Sequence, residues 1–170
     1  MLVVLSGLPG TGKTTIGKLL AAKRSGTYVR VDEIEHALSR ATGLSGDIGP
    51  VGYIVAFAIA ASNLKLGNLV IADSVNPVPE SRKGWRDVAR GAAVRFVEVE
   101  VICSDEREHE HRVATRTTDI AGFTLPSWSS VKAHDYAPWI SPRLVVDTAL
   151  LSPEAAVAEV EAGIDAISAV

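Results

Sequence analysis

The chain holds one cysteine, one methionine and only three each of Trp, Tyr and Phe among 170 residues. A lone Cys103 cannot close an internal disulfide, and its apolar neighbours mark it as a small buried hydrophobe. Long hydrophobic runs are missing too. The one uncharged stretch, 48–64 (IGPVGYIVAFAIAASNL), is short for a membrane span and broken by Gly49, Pro50, Gly52, Ser62 and Asn63, which suits a buried helix. The N-terminal residues lack the charged region and cleavage site of a signal peptide, so the expected location is the cytoplasm. Excess positive charge is absent as well: 17 Lys and Arg stand against 20 Asp and Glu, for a net charge of -3. Nothing therefore draws the whole molecule to nucleic acid or acidic lipid. There is no N-K-x-D base-reading element, which argues against a GTP-driven switch. Leu44-Ser45-Gly46-Asp47 stops short of the L-S-G-G-Q of a transporter ATPase.

What is present is enough apolar material, 47% of residues, for one compact core, and a single domain over 1–170 is expected. Short β-branched runs at 2–6, 27–31, 68–73, 94–102 and 143–148 read as strands. They alternate with stretches of helical length and spacing at 13–24, 33–41, 50–66, 79–92, 104–116 and 153–168. Continuous apolar strands separated by helices imply an α/β fold with a parallel sheet covered on both faces. The exception is 117–142, a polar, turn-rich segment that carries Trp128 and Trp139; so long a loop is usually functional or mobile.

Between the first strand and first helix, Gly7-Leu8-Pro9-Gly10-Thr11-Gly12-Lys13-Thr14 fits G-x-x-x-x-G-K-T. Glycines there let backbone N–H groups turn inward around an anion, and the helix adds its positive N-terminal end. The nucleotide-binding candidates are Gly7, Gly10, Thr11, Gly12, Lys13, Thr14 and Thr15. Lys13 can reach the β- and γ-phosphates of ATP, and the Thr14 hydroxyl can ligate Mg²⁺. Asp73, closing the third strand, supplies a second oxygen for that metal or else caps a turn. Asp32, closing the second strand, either caps the helix after it or faces the ligand crevice as a base for a substrate hydroxyl.

These parts in this order resemble the small P-loop kinases: the loop, VDEIEHAL after the second strand, VIADSVNPVPESR at the third and REHEHRVATR after the fourth. That group includes nucleoside monophosphate kinases, gluconate kinase, chloramphenicol phosphotransferase and the kinase part of 5′-hydroxyl polynucleotide kinase. The resemblance implies a P-loop NTPase fold, with five parallel strands in the order 2-3-1-4-5 and a mobile lid, here about 104–142. It also implies that Asp32 contacts or activates the acceptor hydroxyl and that Asp73 supports the metal, with Asn76 and Arg82 following in sequence. Arg112 and Arg116 match lid arginines that stack on adenine and clamp phosphates.

Four-residue spacing alone puts Arg112 and Arg116 on one helix face, where they can meet phosphates whose charge shifts during transfer. The alternative is a solvated face with Glu108 to Arg112 as an ordinary ion pair. His109 and His111 lie on nearly opposite faces and do not suit zinc. Kinases that accept phosphorylated substrates often carry arginine just after the strand-two aspartate, whereas Glu35 and His36 stand here. With Glu33, Glu35 and Asp47, the crevice reads as poor in positive charge and suited to a neutral or cationic small-molecule acceptor. Arg82, Lys83, Arg86 and Arg90 are either solvated or a basic rim for an anionic acceptor such as a nucleic-acid end. Trp128, Tyr136 and Trp139 either line an acceptor pocket or pack the lid. The expectation is an ATP- and Mg²⁺-dependent phosphotransferase with a hydroxyl acceptor. A polynucleotide or nucleotide kinase and a non-catalytic ATP-binding module are the alternatives.

Overall fold

The computed structural model describes residues 1–43 and 49–168. In chain order the elements are β1 (Leu2–Ser6), α1 (Lys13–Arg24), β2 (Thr27–Arg30), α2 (Val31–Thr42), α3 (Val51–Lys65), β3 (Val70–Asp73), α4 (Pro79–Gly91), β4 (Phe96–Ile102), α5 (Glu106–Thr115), α6 (Trp128–Lys132), β5 (Leu144–Asp147) and α7 (Pro153–Ser168). The five strands form one sheet, all parallel, in the order β2-β3-β1-β4-β5. The expected strand order is therefore observed.

Alternation along the strands decides which helix covers which face. In β1, Val3 and Leu5 point to one side with Val97, Val99 and Val101 of β4, and meet Ile16 and Leu20 of α1 and Val157, Val160 and Ile164 of α7. Leu2 and Val4 point the other way with Val70 and Ala72, against Ala56 and Ala60 of α3 and Trp85 and Ala89 of α4. A central strand buried on both faces has no polar side to show, which is why LVVLS reads as a continuous apolar run. On β4 the second face carries Phe96 and then two carboxylates. Glu98 receives the Nε–H of Arg86, 2.9 Å from its Oε2, and Glu100 receives that of Arg143 at 2.8 Å. Each buried carboxylate thus has a guanidinium partner.

Three boundaries differ from the sequence reading. Strand β2 ends at Arg30 and the helix begins at Val31, so Asp32 stands in the first turn of α2 rather than at the strand end. There, with Glu33, its negative charge favours the helix N-terminus. A short helix, α6, interrupts the segment expected as loop; its Ser127 cap accepts a hydrogen bond from the Ser130 N–H. The apolar helix runs from Val51, while Leu44-Ser45-Gly46-Asp47 and Ile48 fall outside the described residues. Among the described residues no helix is long and apolar enough to cross a membrane.

Candidate active site

Every strand end that matters opens on one edge of the sheet, where a cavity of about 630 Å³ is lined by Gly10, Gly12, Lys13, Thr14 and Thr15 together with Arg30, Asp32, Asp73, Arg112, Arg116 and Asp119. The loop after β1 can turn this tightly only with glycine. Gly7 has φ 140°, and a Cβ there would stand 2.2 Å from the carbonyl oxygen of Val101. A Cβ on Gly10, φ 88°, would stand 2.5 Å from a methyl of Val113 in α5. Gly12 caps α1 without any side-chain bond, which leaves the first-turn amides of α1 for an anion. The Thr148 hydroxyl, after β5, donates to the Thr11 carbonyl at 2.9 Å and braces the loop from the far side. Lys13 is buried, and its Nζ donates to the Leu8 carbonyl at 2.9 Å. Burial lowers its pKa, while Asp73 and Asp32 pull it back up.

Thr14 Oγ1 donates to Asp73 Oδ2 at 2.7 Å. The Tyr28 hydroxyl donates to the same oxygen at 2.6 Å; burial, and then Asp73, raise the tyrosine pKa so that it remains a donor. Sequence reasoning missed Tyr28, which read as one more β-former. A hydroxyl and a carboxylate in contact, with oxygen as the only donor atom, fit Mg²⁺ completed by phosphate oxygens and water. Among the described residues no group of three or more His, Cys, Asp or Glu is placed to hold a metal without such help.

Around Asp32 the charge differs from the sequence reading, which had the crevice poor in cations. Arg30, buried at the end of β2, stands 3.8 Å from Asp32, 3.6 Å from Glu33 and 2.8 Å from Asp119. A single arginine in a strand carries no signal that it will turn inward, so pattern could not find it. Arg116 lies at the C-terminal end of α5, and its Nε and Nη2 are buried without a hydrogen-bond partner among the described residues. Those two N–H groups form the fork that takes a phosphate or carboxylate in two bonds. Burial raises the pKa of Asp32, and Lys13, Arg30 and Arg116 oppose the rise. Asp47 lies outside the described residues, and Glu35 packs on α3, where a Cβ on Gly52 would stand 2.2 Å from its Cγ.

Arg112 and Arg116 line the same cavity but diverge. Arg112 donates through Nε to Glu108 at 2.8 Å, through Nη1 to the Thr148 hydroxyl at 2.8 Å and through Nη2 to the Thr148 carbonyl at 3.0 Å, so it ties α5 to the turn after β5. His109 is buried, its Nε2 2.9 Å from the Pro9 carbonyl and its ring edge-on to Trp128 at 5.1 Å.

Two of the arginines read as either solvated or a basic rim are neither: both are engaged within the protein. Arg82 is buried, donates to the carbonyls of Asn76 at 2.9 Å and Ala137 at 2.6 Å, and lies over Trp139 at 4.1 Å. Arg86 is taken by Glu98 and by Ser141 at 2.7 Å. Lys83 and Arg90 both pair with Asp87. Tyr136 and Trp139 thus pack the trailing end of the segment rather than line the cavity, and Trp139 Nε1 donates to the Tyr136 hydroxyl at 3.1 Å.

The sequence profile of an AAA domain family, AAA_33, matches residues 2–128. No curated protein matches the chain in sequence. Among solved structures, the Mycobacterium tuberculosis APS kinase CysC, in complex with AMPPNP and APS, superposes with a TM-score of 0.74 at 20% identity, over 96% of this chain and 96% of that one. Chaetomium thermophilum Kti12 in complex with ADP-AlF3 gives 0.66 at 20% identity, over 98% and 99%. A gluconokinase from Sinorhizobium meliloti gives 0.64 at 18% identity, over 96% and 91%. At these identities the likeness is one of fold, and it extends over nearly the whole of each chain. The chain belongs to the AAA_33 family of AAA domains, and its fold is the one these three structures share.

Proposed function

We propose that the protein transfers the γ-phosphoryl group of ATP, bound with Mg²⁺, to a hydroxyl of a small-molecule acceptor. The observation that carries this reading is that Lys13, Asp32 and Arg116 line one cavity, with the Nε and Nη2 of Arg116 buried at its wall and taken by no described group. A site built only to hold a nucleotide needs the first; a carboxylate and a free guanidinium fork beside it suit a group in transit. The nucleotides in the APS kinase and Kti12 structures support the same choice.

In this mechanism the loop 7–14 and the amides at the start of α1 bind the phosphates. Lys13 exchanges the Leu8 carbonyl for phosphate oxygens. Thr14 and Asp73 would hold Mg²⁺, whose chemistry is to neutralise charge on the β- and γ-phosphates. Asp32 accepts a hydrogen bond from the acceptor hydroxyl, aligning its oxygen with the γ-phosphorus, and takes the proton as the new O–P bond forms and the bond to ADP breaks. Arg116 follows the equatorial oxygens of the group as it moves. Arg112, held by Thr148 and Glu108, serves the nucleotide side and positions α5.

The acceptor is best read as a neutral small molecule. Arg30 and Arg116 offset Asp32, Glu33 and Asp119, so the acidic character behind a cationic acceptor is compensated. A polynucleotide end is the poorer reading, since the arginines and the lysine of α4 are engaged internally or by Asp87. The test is ADP release with ATP and Mg²⁺ against a panel of hydroxyl compounds and 5′-hydroxyl oligonucleotides. One small neutral compound stimulates release, and Lys13→Ala abolishes it while the fold survives. A fully active Lys13→Ala protein, or stimulation by oligonucleotides alone, overturns the proposal.

A further inference from the structure

The segment that follows Arg116 is fastened to the body of the protein at one charged point. The carboxylate of Asp119 pairs with Lys18, on the outer face of α1 little more than a turn beyond Lys13, and accepts a hydrogen bond from Arg30 Nη1 at 2.8 Å. Two residues on, the Ala121 carbonyl meets His36 Nε2 at 2.9 Å, and Phe123 lies edge-on to the His36 ring at 5.7 Å. Asp119 and Phe123 line the cavity that holds Lys13 and Asp32.

Arg116 is no longer in regular helix, and three residues of extended chain reach about 10 Å, so wherever Asp119 is held, Arg116 is confined to its neighbourhood. Arg30 links the same contact to Asp32. We propose that Asp119 is a positioning residue, clamped between Lys18 and Arg30, which sets the fork of Arg116 beside Lys13 and Asp32 and closes residues 116–123 over the acceptor side of the cavity. Asp119 touches no reacting atom. Asp119 and Lys18 are about half exposed, and ion pairs so exposed add little to global stability; the buried Arg30 keeps Asp32 and Glu33 as partners at 3.8 and 3.6 Å, so the loss of Asp119 shows in where the segment sits rather than in whether the chain folds. Lys18, then Arg30, hold the Asp119 carboxyl well below the usual carboxylate range, and the clamp stays charged at neutral pH.

The proposal rests on the phosphotransferase reading for its catalytic consequence but not for its structural one. Two measurements separate them: hydrogen exchange of the 117–123 amides with and without AMPPNP and Mg²⁺, and ADP release, each on the wild type, Asp119→Asn, Asp119→Glu and the control Lys132→Ala, which removes an exposed pair to Glu106. Asp119→Asn is expected to speed exchange of these amides at least tenfold. It should lower the turnover number at least tenfold, with the dissociation constant for AMPPNP and the thermal midpoint nearly unchanged. Asp119→Glu recovers most of both effects, and Lys132→Ala matches the wild type. Exchange in Asp119→Asn equal to the wild type overturns the proposal. So does a loss of nucleotide affinity in step with turnover. A wild type that binds AMPPNP and turns over no acceptor defeats the phosphotransferase reading, and the exchange result still decides the clamp.

Discussion

Replacing Arg116 with methionine should make the nucleotide-free protein more stable and much less active. The side chain is held with Nε and Nη2 buried and unpartnered, and burial lowers its pKa, a sign that the charged form is held at a cost. Taking about 1 kcal/mol for each unmade buried hydrogen bond, the pair costs about 2 kcal/mol, which an apolar chain of similar length removes. For a domain of this size that raises the thermal midpoint by about 4–8 °C. In the transition state the same two N–H groups would make charge-assisted bonds of about 1.5–3 kcal/mol each, so their loss costs about 3–6 kcal/mol. At 1.36 kcal/mol per factor of ten, the turnover number falls by about 10²–10⁴. Arg116→Lys keeps the charge without the fork and falls between the two. Calorimetry without nucleotide and ADP release with ATP and Mg²⁺ measure both sides. An Arg116→Met protein that melts below the wild type, or that keeps turnover within about threefold, refutes the reasoning.

Asp32→Asn should cut transfer to the acceptor far more than ATP binding, and equal loss of both removes Asp32 from the base role. Burial lifts its pKa above the ordinary 3.8, and only the ionised form can take a proton, so turnover falls as pH drops through a midpoint above 3.8. Lys13, Arg30 and Arg116 all restrain that rise, so Arg30→Gln moves the midpoint further up; a downward move counts against the assignment. The same raised pKa means the native state binds more protons than the unfolded one above pH 3.8, so the ionised carboxylate is destabilising at neutral pH. Asp32→Asn should therefore melt no lower than the wild type at pH 7. Asn76→Ala addresses the frame instead. Asn76 is fully buried at φ 50°, donates to Ser6 Oγ at 2.8 Å and accepts from Trp85 Nε1 and Ser74 Oγ at 2.9 Å. Its loss strands buried polar groups at about 1–3 kcal/mol each, so denaturant unfolding should report a loss of about 2–5 kcal/mol. A loss under about 1 kcal/mol would mean that the network relaxes around the gap.

The parallel sheet, the phosphate loop and the choice of Thr14 and Asp73 as neighbours of one metal were legible because each rests on local pattern: continuous apolar strands, glycines at fixed offsets, a carboxylate at a strand end; the strand order came only with the resemblance to the small P-loop kinases. The side chains that pattern misjudged are those whose partners are remote in sequence. Arg82 and Arg86 read as a solvated helix face, yet their partners lie at 137–138 and 141, more than fifty residues away. Arg30 finds Asp119 eighty-nine positions along. Asp32 was misplaced by two residues of helix boundary, which a carboxylate-rich first turn moved upstream. Helix α6, five residues long, is too short to show a period.

Arg82 also sets the kind of motion open to the segment beyond α5. By holding the carbonyls of Ala137 and Pro138 against the junction of β3 and α4, it makes residues 116–136 a loop tied at both ends rather than a free arm. The entropy lost when such a loop is drawn shut grows only as about (3/2)RT ln n, so most of the ordering is already present before a ligand arrives. Lengthening the loop between its ties should therefore cost little, whereas cutting the Arg82 tie would leave the whole span to be ordered at each turnover.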